Sequence, residues 1–296
     1  MNIIGRRKIW FLLSLLVLLP GLVSMGYHWA ADGSPFNLGI DFTGGNLFNV
    51  TFKSDVNETG IRKALGELNL GKSVVQLAGK RSAIIRTPLL DDTKQAKVLS
   101  VLADEVAPID KSSLRVDKVG AVIGKELTVR ALLALLIASI LMIIYISFRF
   151  EFKFGLAAII ALLHDVFIVM GVFSIFWWEV DSTFVAAILT IIGYSINDTI
   201  VIFDRIRENL KRRKKGEDLE VLVNNSVLQT MTRSVNTVLT VIMVLVSLLV
   251  FGGPTIRLFS LALLIGVSSG MYSSIFNASP LWVVFKNLER GKARTA

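Results

Sequence analysis

FVAAILTIIGYSINDTIVIF, residues 184–203, decides how this chain is read. As a helix these 20 residues would measure about 30 Å, the thickness of a bilayer's hydrocarbon core. Nearly all of them are apolar or small. Asp198, near the end of the run, is the exception. An ionisable side chain in that setting costs a few kcal/mol on insertion scales, so it is normally directed at a partner, a cavity or an ion path. His164 and Asp165 stand in the preceding apolar run, and Arg233 at the start of the next one. That grouping of charges is the main functional clue in the chain.

The composition agrees with a membrane protein. Of 296 residues 53% are hydrophobic and only 19% are charged, and the mean hydropathy is +0.63. Runs at 9–27, 131–148, 154–178, 235–251 and 258–285 join 184–203 as predicted transmembrane helices, six in all. The first run follows Arg6-Arg7-Lys8 and precedes Ala30-Ala31, as a cleaved signal peptide would. Its core is long for a signal and five more spans follow, so an uncleaved first helix is expected. The chain has no cysteine, which excludes disulfides, thiol chemistry and cysteine metal sites.

The net charge of +9 is distributed by loop. Arg6, Arg7 and Lys8 precede the first span, Arg149 and Lys153 follow the second, and Arg205, Arg207 and the run 211–215 follow the fourth. Lys286, Arg290, Lys292 and Arg294 close the chain, whereas the turns at 179–182 and 252–257 hold only Arg257. Basic loops stay in the cytoplasm, so both termini are expected inside. The charge is therefore a topology signal rather than a nucleic-acid site. The run 211–215 suits contact with anionic membrane lipids or an acidic partner.

Three regions follow: a tail and first helix (1–29), an exoplasmic domain (30–127), and a bundle of five helices (128–296) with a cytoplasmic loop at 204–232. In the domain, 46–53 alternates as a strand with Phe48, Val50 and Phe52 on one face. Residues 56–68 carry a helical stripe through Ile61, Ala64, Leu65 and Leu68, with Asp55 as N-cap. Strands at 73–78 and 82–87 flank the hairpin Gly79-Lys80-Arg81; 92–106 is helical and 114–119 is a last strand. The order β-α-β-β-α-β predicts a ferredoxin-like α+β unit. GIDFTGG, 39–45, lacks the Lys-Ser/Thr of a P-loop and reads as a tight entry turn. His28 is expected to be solvated at the interface. No HExxH, GxSxG or comparable motif is present, so neither enzymatic chemistry nor a cofactor is expected.

Depth sorts the intramembrane charges. Asp198 lies about 7 Å from the inner end of its run, and Arg233 at about 10 Å if its helix begins near Ser226. An Asp198–Arg233 pair between neighbouring helices fits. His164 and Asp165 fall about 15 Å along their helix, near mid-bilayer. Asn197 and Tyr194 stand on or next to the Asp198 face, which predicts a polar track running inward. The same charges could instead hold helices together. Asp204, Arg205 and Arg207 read as interface charges, and Asn277 and Pro280 as a bend in the sixth span. Gly266 and Gly270 allow close approach by a helix or packing against lipid, and a lone half-unit with an unpaired small-residue surface suggests a partner.

Four stretches in this order resemble the SecD/SecF family of protein-export membrane proteins, part of the resistance-nodulation-division superfamily. They are GIDFTGG (39–45), LHDV (163–166), GYSINDTIVIFDRIREN (193–209) and TMTRSVN (230–236). The resemblance implies a membrane α-helical fold, a six-helix half-unit with its exoplasmic domain mobile between helices one and two. It implies pairing with SecD into a twelve-helix, pseudo-twofold unit in the bacterial cytoplasmic membrane. That unit would work beside the SecYEG channel and SecA, using the proton gradient to help unfolded preproteins outward. It also implies Asp198 and Arg233 as proton-path residues, and Gly39, Asp41, Gly44, Gly45, Gly193 and Tyr194 as motif positions. A proton-driven exporter of a small molecule or lipid, and a non-transporting scaffold, share this architecture.

Overall fold

The structure, a computed structural model, describes residues 1–71, 73–149 and 151–295; of Ala121, Val122, Ser147, Arg149, Pro254, Thr255 and 290–295 it describes the backbone alone. The side chains of Arg149, Arg290, Lys292 and Arg294 thus lie outside the described residues. In chain order the helices are α1 (Arg7–Asp32), α2 (Ile40–Thr43), α3 (Glu58–Gly66), α4 (Asp92–Glu105), α5 (Ala121–Arg149) and α6 (Phe152–Ile175). There follow α7 (Ser182–Lys211), α8 (Leu219–Phe251), α9 (Pro254–Ser273), a π-helical turn (Ser274–Ala278) and α10 (Ser279–Thr295). The chain divides into two compact units, Met1–Asn37 with Ala134–Ala296, and Leu38–Leu133.

Among the described residues six helical stretches are long and apolar enough to cross a membrane, the sixth running through α9, the π turn and α10 over Ile256–Glu289. Asp181 caps α7 by accepting from the Phe184 amide at 2.9 Å, and Asp218 caps α8 through the Glu220 amide at 2.9 Å. Both helices therefore run longer than the apolar pattern alone predicts. The apolar windows of α6, α7 and the α9–α10 helix are 50%, 44% and 50% buried, whereas those of α1, α5 and α8 are 6%, 6% and 17%. So α6, α7 and α9 form the centre of the bundle, and the others turn leucine-rich faces outward, where lipid replaces water.

Close packing at the centre depends on glycine. A Cβ on Gly21 of α1 would stand 2.6 Å from the Gly171 Cα of α6. One on Gly266 would stand 2.3 Å from the Ile191 side chain, and one on Gly270 3.2 Å from the Ser195 Cβ. The small-residue surface of α9 is thus occupied by α7. It is not an unpaired face awaiting a partner, because Ile191 and Ser195 fill it. Asn277 lies in the π turn and Pro280 just after it, where a local change of helical winding replaces a simple bend. His28 is not freely solvated: its ring stacks on Trp177 at 3.8 Å and bonds Asp32 at 2.7 Å.

In the smaller unit, strands Gly45–Thr51, Val74–Leu77, Ser82–Thr87 and Arg115–Val119 form an antiparallel sheet. Numbered by sequence within this unit, the spatial order is second, third, first, fourth, which is the ferredoxin-like arrangement. Phe48, Val50 and Phe52 are buried with Ile61, Ala64, Leu65, Val98 and Leu102 in one core. The α3 cap is Asn57, whose side chain accepts from the Gly60 amide at 2.7 Å. Asp55, expected in that role, is instead paired with Arg81 at 3.1 Å. Residues 40–43 make one helical turn, and Gly44 and Gly45 leave it with φ of 71° and 135°. A Cβ on Gly45 would lie 2.4 Å from the Thr87 carbonyl oxygen, so sterics as well as φ demand glycine there.

Candidate functional site

Two carboxyl groups occupy the interior of the helical unit, in opposite states of satisfaction. Asp165 of α6 is 0% exposed. Its Oδ1 accepts from His164 Nδ1 at 3.0 Å and from the Ser269 hydroxyl at 2.7 Å. Its Oδ2 accepts from Ser195 at 2.7 Å and Ser273 at 2.6 Å. The donors come from α6, α7 and α9, so one carboxyl fastens the three central helices together. Ser269 and Ser273 reach it jointly because residues four apart share a helical face.

Asp198 is one turn beyond Ser195 on α7 and only half-buried. The hydroxyls of Ser234 on α8 and Ser274 in the π turn lie beside its carboxyl. Yet Asp198 Oδ2 and the Ser234 oxygen are both buried without a hydrogen bond among the described residues. The carboxyl borders a cavity of about 80 Å³ that is also lined by Tyr194, Asn197, Arg233, Thr237 and Gly270. Arg233 is exposed, and among the described residues no ion pair joins it to Asp198. The two residues line the same cavity.

A third polar string runs beside His164. The Tyr272 ring stacks near it at 6.2 Å, and the Tyr272 hydroxyl donates to the Trp10 carbonyl at 2.8 Å. Ser14 on α1 donates to Tyr272 at 3.3 Å and to Asn277 at 2.9 Å. His164 Nε2 is buried without a partner among the described residues. Thr199 and Ser274 share a hydrogen bond of 2.8 Å, and Ser274 reaches the Ser195 carbonyl at 3.4 Å, linking the Asp198 and Asp165 neighbourhoods.

The sequence-predicted residues thus fall into two groups. Asp198, Asn197, Tyr194 and Arg233 surround one cavity; His164 and Asp165 belong to a separate buried cluster. Gly193 is helical with open space around its Cβ position. Gly39, Asp41, Gly44 and Gly45 belong to the other unit. Sequence reasoning missed Ser195, Ser234, Ser269, Ser273, Ser274 and Tyr272. The one available signal was the spacing of Ser269 and Ser273 within a span. Among the described residues no cluster of three or more His, Cys, Asp or Glu side chains could hold a metal ion.

Residues 98–288 match the model of the protein export membrane protein SecD/SecF C-terminal family, and 33–56 match its SecD/SecF GG motif. The chain belongs to the SecD/SecF protein-export family. Protein translocase subunit SecF of Acidaminococcus fermentans is 43% identical, covering 98% of this chain and 99% of its own. SecF of Sebaldella termitidis is 40% identical over 98% of this chain and 93% of its own. The SecDF of Bacillus subtilis is 43% identical, but the match covers 38% of that longer protein. The crystal structure of Thermus SecDF superposes with a TM-score of 0.86 at 36% identity, over 97% of this chain and 39% of that one. Family membership makes this a multi-pass protein of the bacterial cytoplasmic membrane with a role in protein export. Tyr194, Asn197, Asp198, Arg233 and Ser234 all lie within the matched span 98–288.

Proposed function

We propose that the chain acts as the SecF-type half of a SecD–SecF pair, coupling the proton-motive force to late steps of preprotein export beside SecYEG, after SecA has driven most of the translocation. Asp198 carries this reading: a carboxyl with an unbonded oxygen, on a cavity inside a membrane-spanning helix. Burial favours the neutral form of a carboxyl group and a nearby cation its charged form. A shift of α8, which carries Arg233, therefore changes the proton affinity of Asp198. Moving one elementary charge through 100 mV supplies about 2.3 kcal/mol, enough to bias two such arrangements. Asn197 and Tyr194 shape the cavity, and the His164–Asp165 pair forms the fixed, mid-membrane end of the proton path. No cofactor beyond the gradient is invoked.

Pairing with SecD is supported by an outward face. Thr232, Arg233, Asn236 and Thr237 of α8 and Tyr194 and Asn197 of α7 are exposed in the isolated chain, on helices that cross the membrane. Polar groups in that position need a protein or a water-filled cavity against them. The Lys/Arg pattern puts both termini in the cytoplasm and the α+β domain outside. There the domain meets emerging unfolded preprotein, while the 211–215 run contacts anionic lipid.

Asp198→Asn tests the reading. In membrane vesicles with SecYEG and SecA, the variant should co-purify with SecD and still lose gradient-stimulated export. Normal stimulated export by a fully assembled variant would remove Asp198 from the mechanism. Export indifferent to the gradient even in the unaltered protein would favour the scaffold reading.

A further inference from the structure

Buried hydrogen-bonding groups are almost always satisfied, so two unsatisfied ones side by side require a reason. Asp198 Oδ2 and the Ser234 hydroxyl form such a couple across the α7–α8 contact. Ser234 is 1% exposed. Some intramembrane serines settle on their own helix, as Ser226 donates to the Leu222 carbonyl at 2.8 Å and Ser247 to that of Met243 at 2.9 Å, and Ser195, Ser269 and Ser273 donate to Asp165. Ser234 makes no such bond, and its hydroxyl is beside the carboxyl instead. Arg233 and Ser234 are about 100° apart on α8. The arginine is exposed and lines the cavity, whereas the serine is buried.

The geometry points to Ser234 as a positioning residue for proton coupling, its hydroxyl closing α8 onto α7 by donating to Asp198 Oδ2 when that carboxyl has lost its proton. This rests on the proposed role of Asp198. A hydrogen bond to a carboxylate is roughly twice as strong as one between neutral groups, so the closed arrangement selects the charged form. Because Arg233 is the adjacent residue, the same closure brings the guanidinium nearer. The helix that moves is α8, since α6, α7 and α9 are fastened at Asp165 and only 17% of the α8 window is buried. The cavity of about 80 Å³ gives it room. Around Asp198 the titratable groups are Tyr194 on α7 and Arg233 on α8, with His164 and Asp165 of α6 next, reached through Ser195. No charged side chain of α9 or the π turn lines the cavity among the described residues.

The absence of native cysteine makes the test direct. Tyr194→Cys on α7 and Thr237→Cys on α8 form a reporter pair across the cavity, cross-linked by a short bifunctional thiol reagent in membranes containing the SecD partner. All variants are compared at a single mildly alkaline pH, so thiol reactivity is constant. The Asp198 reporter should cross-link about threefold more than its Asp198→Asn version, the population ratio given by one average interhelical polar contact. Adding Ser234→Ala to the Asp198 reporter should lower the yield to the Asp198→Asn level, and Ser234→Thr should keep it high. In the Asp198→Asn background Ser234→Ala should change nothing. A Ser234→Ala yield equal to that of the Asp198 reporter overturns the assignment, as does equal yield with Asp or Asn at 198, zero yield in both included. Gradient-stimulated export by Asp198→Asn defeats the Asp198 reading itself, whatever the cross-links show.

Discussion

Replacing Asp165 and Asp198 in turn should separate a fastening carboxyl from a working one. Asp165→Ala removes the acceptor of four hydrogen bonds, from His164, Ser195, Ser269 and Ser273. Interhelical polar contacts in membranes average about 0.6 kcal/mol, so losing four costs at least about 2.5 kcal/mol. The stranded donors raise this, because each buried unsatisfied group costs about 1–3 kcal/mol and some of the serines will turn back to their own helix carbonyls. The expected loss is roughly 3–5 kcal/mol. Asp198→Asn, by contrast, changes a group whose Oδ2 has no hydrogen bond to lose. Its stability should stay within about 0.5 kcal/mol of the original. Reversible unfolding of the purified chain in mixed micelles, titrated with a denaturing detergent, measures both. Single Ser195→Ala, Ser269→Ala and Ser273→Ala changes should each cost less than Asp165→Ala. Equal losses for the two aspartate variants, or an Asp165→Ala chain as stable as the original, would refute the division of roles.

Two further outcomes follow from the packing and the charges. Gly171→Ala would put a Cβ 2.8 Å from the Gly21 Cα, forcing α1 from α6 at a cost of about 1–3 kcal/mol, whereas Gly193→Ala meets open space and should be neutral or slightly stabilising; the same detergent unfolding compares them. In the α+β domain, the Lys94 backbone N–H holds the Asp91 carboxyl below the usual carboxylate range, and the Ser112 hydroxyl does the same for Asp110. Their stabilisation is present above the unfolded-state pKa and is lost as pH falls through the lower folded-state values. The protection of amides within 38–133, taken relative to their intrinsic exchange rate at each pH, should therefore fall below about pH 4 and not between neutrality and pH 5.

What the sequence makes legible is whatever depends on length, period or a gross mismatch of chemistry. Six apolar runs become six spans because no other structure satisfies their backbone in lipid. Phe48, Val50 and Phe52 reach the core because a strand alternates. The α3 cap is ambiguous in the sequence because Asp55 and Asn57 are both good cap residues two positions apart. The register that turns Ile61, Ala64 and Leu65 to the sheet places Asn57, not Asp55, within reach of the Gly60 amide. The Asp198–Arg233 expectation was drawn from depth alone. Depth leaves rotation about the helix axis undetermined, and it is Ser234 that turns inward while Arg233 faces out. The serine cluster escaped for a related reason. A serine in a membrane helix can always bond its own backbone, so only tertiary contacts decide which of Ser139, Ser247, Ser269 or Ser273 faces a carboxylate.

The unequal treatment of the two carboxyls has an energetic logic. A proton-coupled element must change charge state within the free energy that the gradient supplies, about 2.3 kcal/mol for one charge across 100 mV. Asp165 is held by four donors from three helices, two on each oxygen, so moving it disturbs the packing of all three. Asp198 has one oxygen unbonded and a cavity beside it, so a change of its charge disturbs little and leaves the gradient's free energy for moving α8. Loose bonding at Asp198 is thus a condition for coupling, and tight bonding at Asp165 supplies the frame against which a moving helix can do work. Placing a donor near Asp198, for instance by Val238→Ser on the same cavity, should slow gradient-stimulated export where the new hydroxyl holds the carboxyl. Faster export from a variant of that kind would show that the carboxyl is not kept loose for coupling.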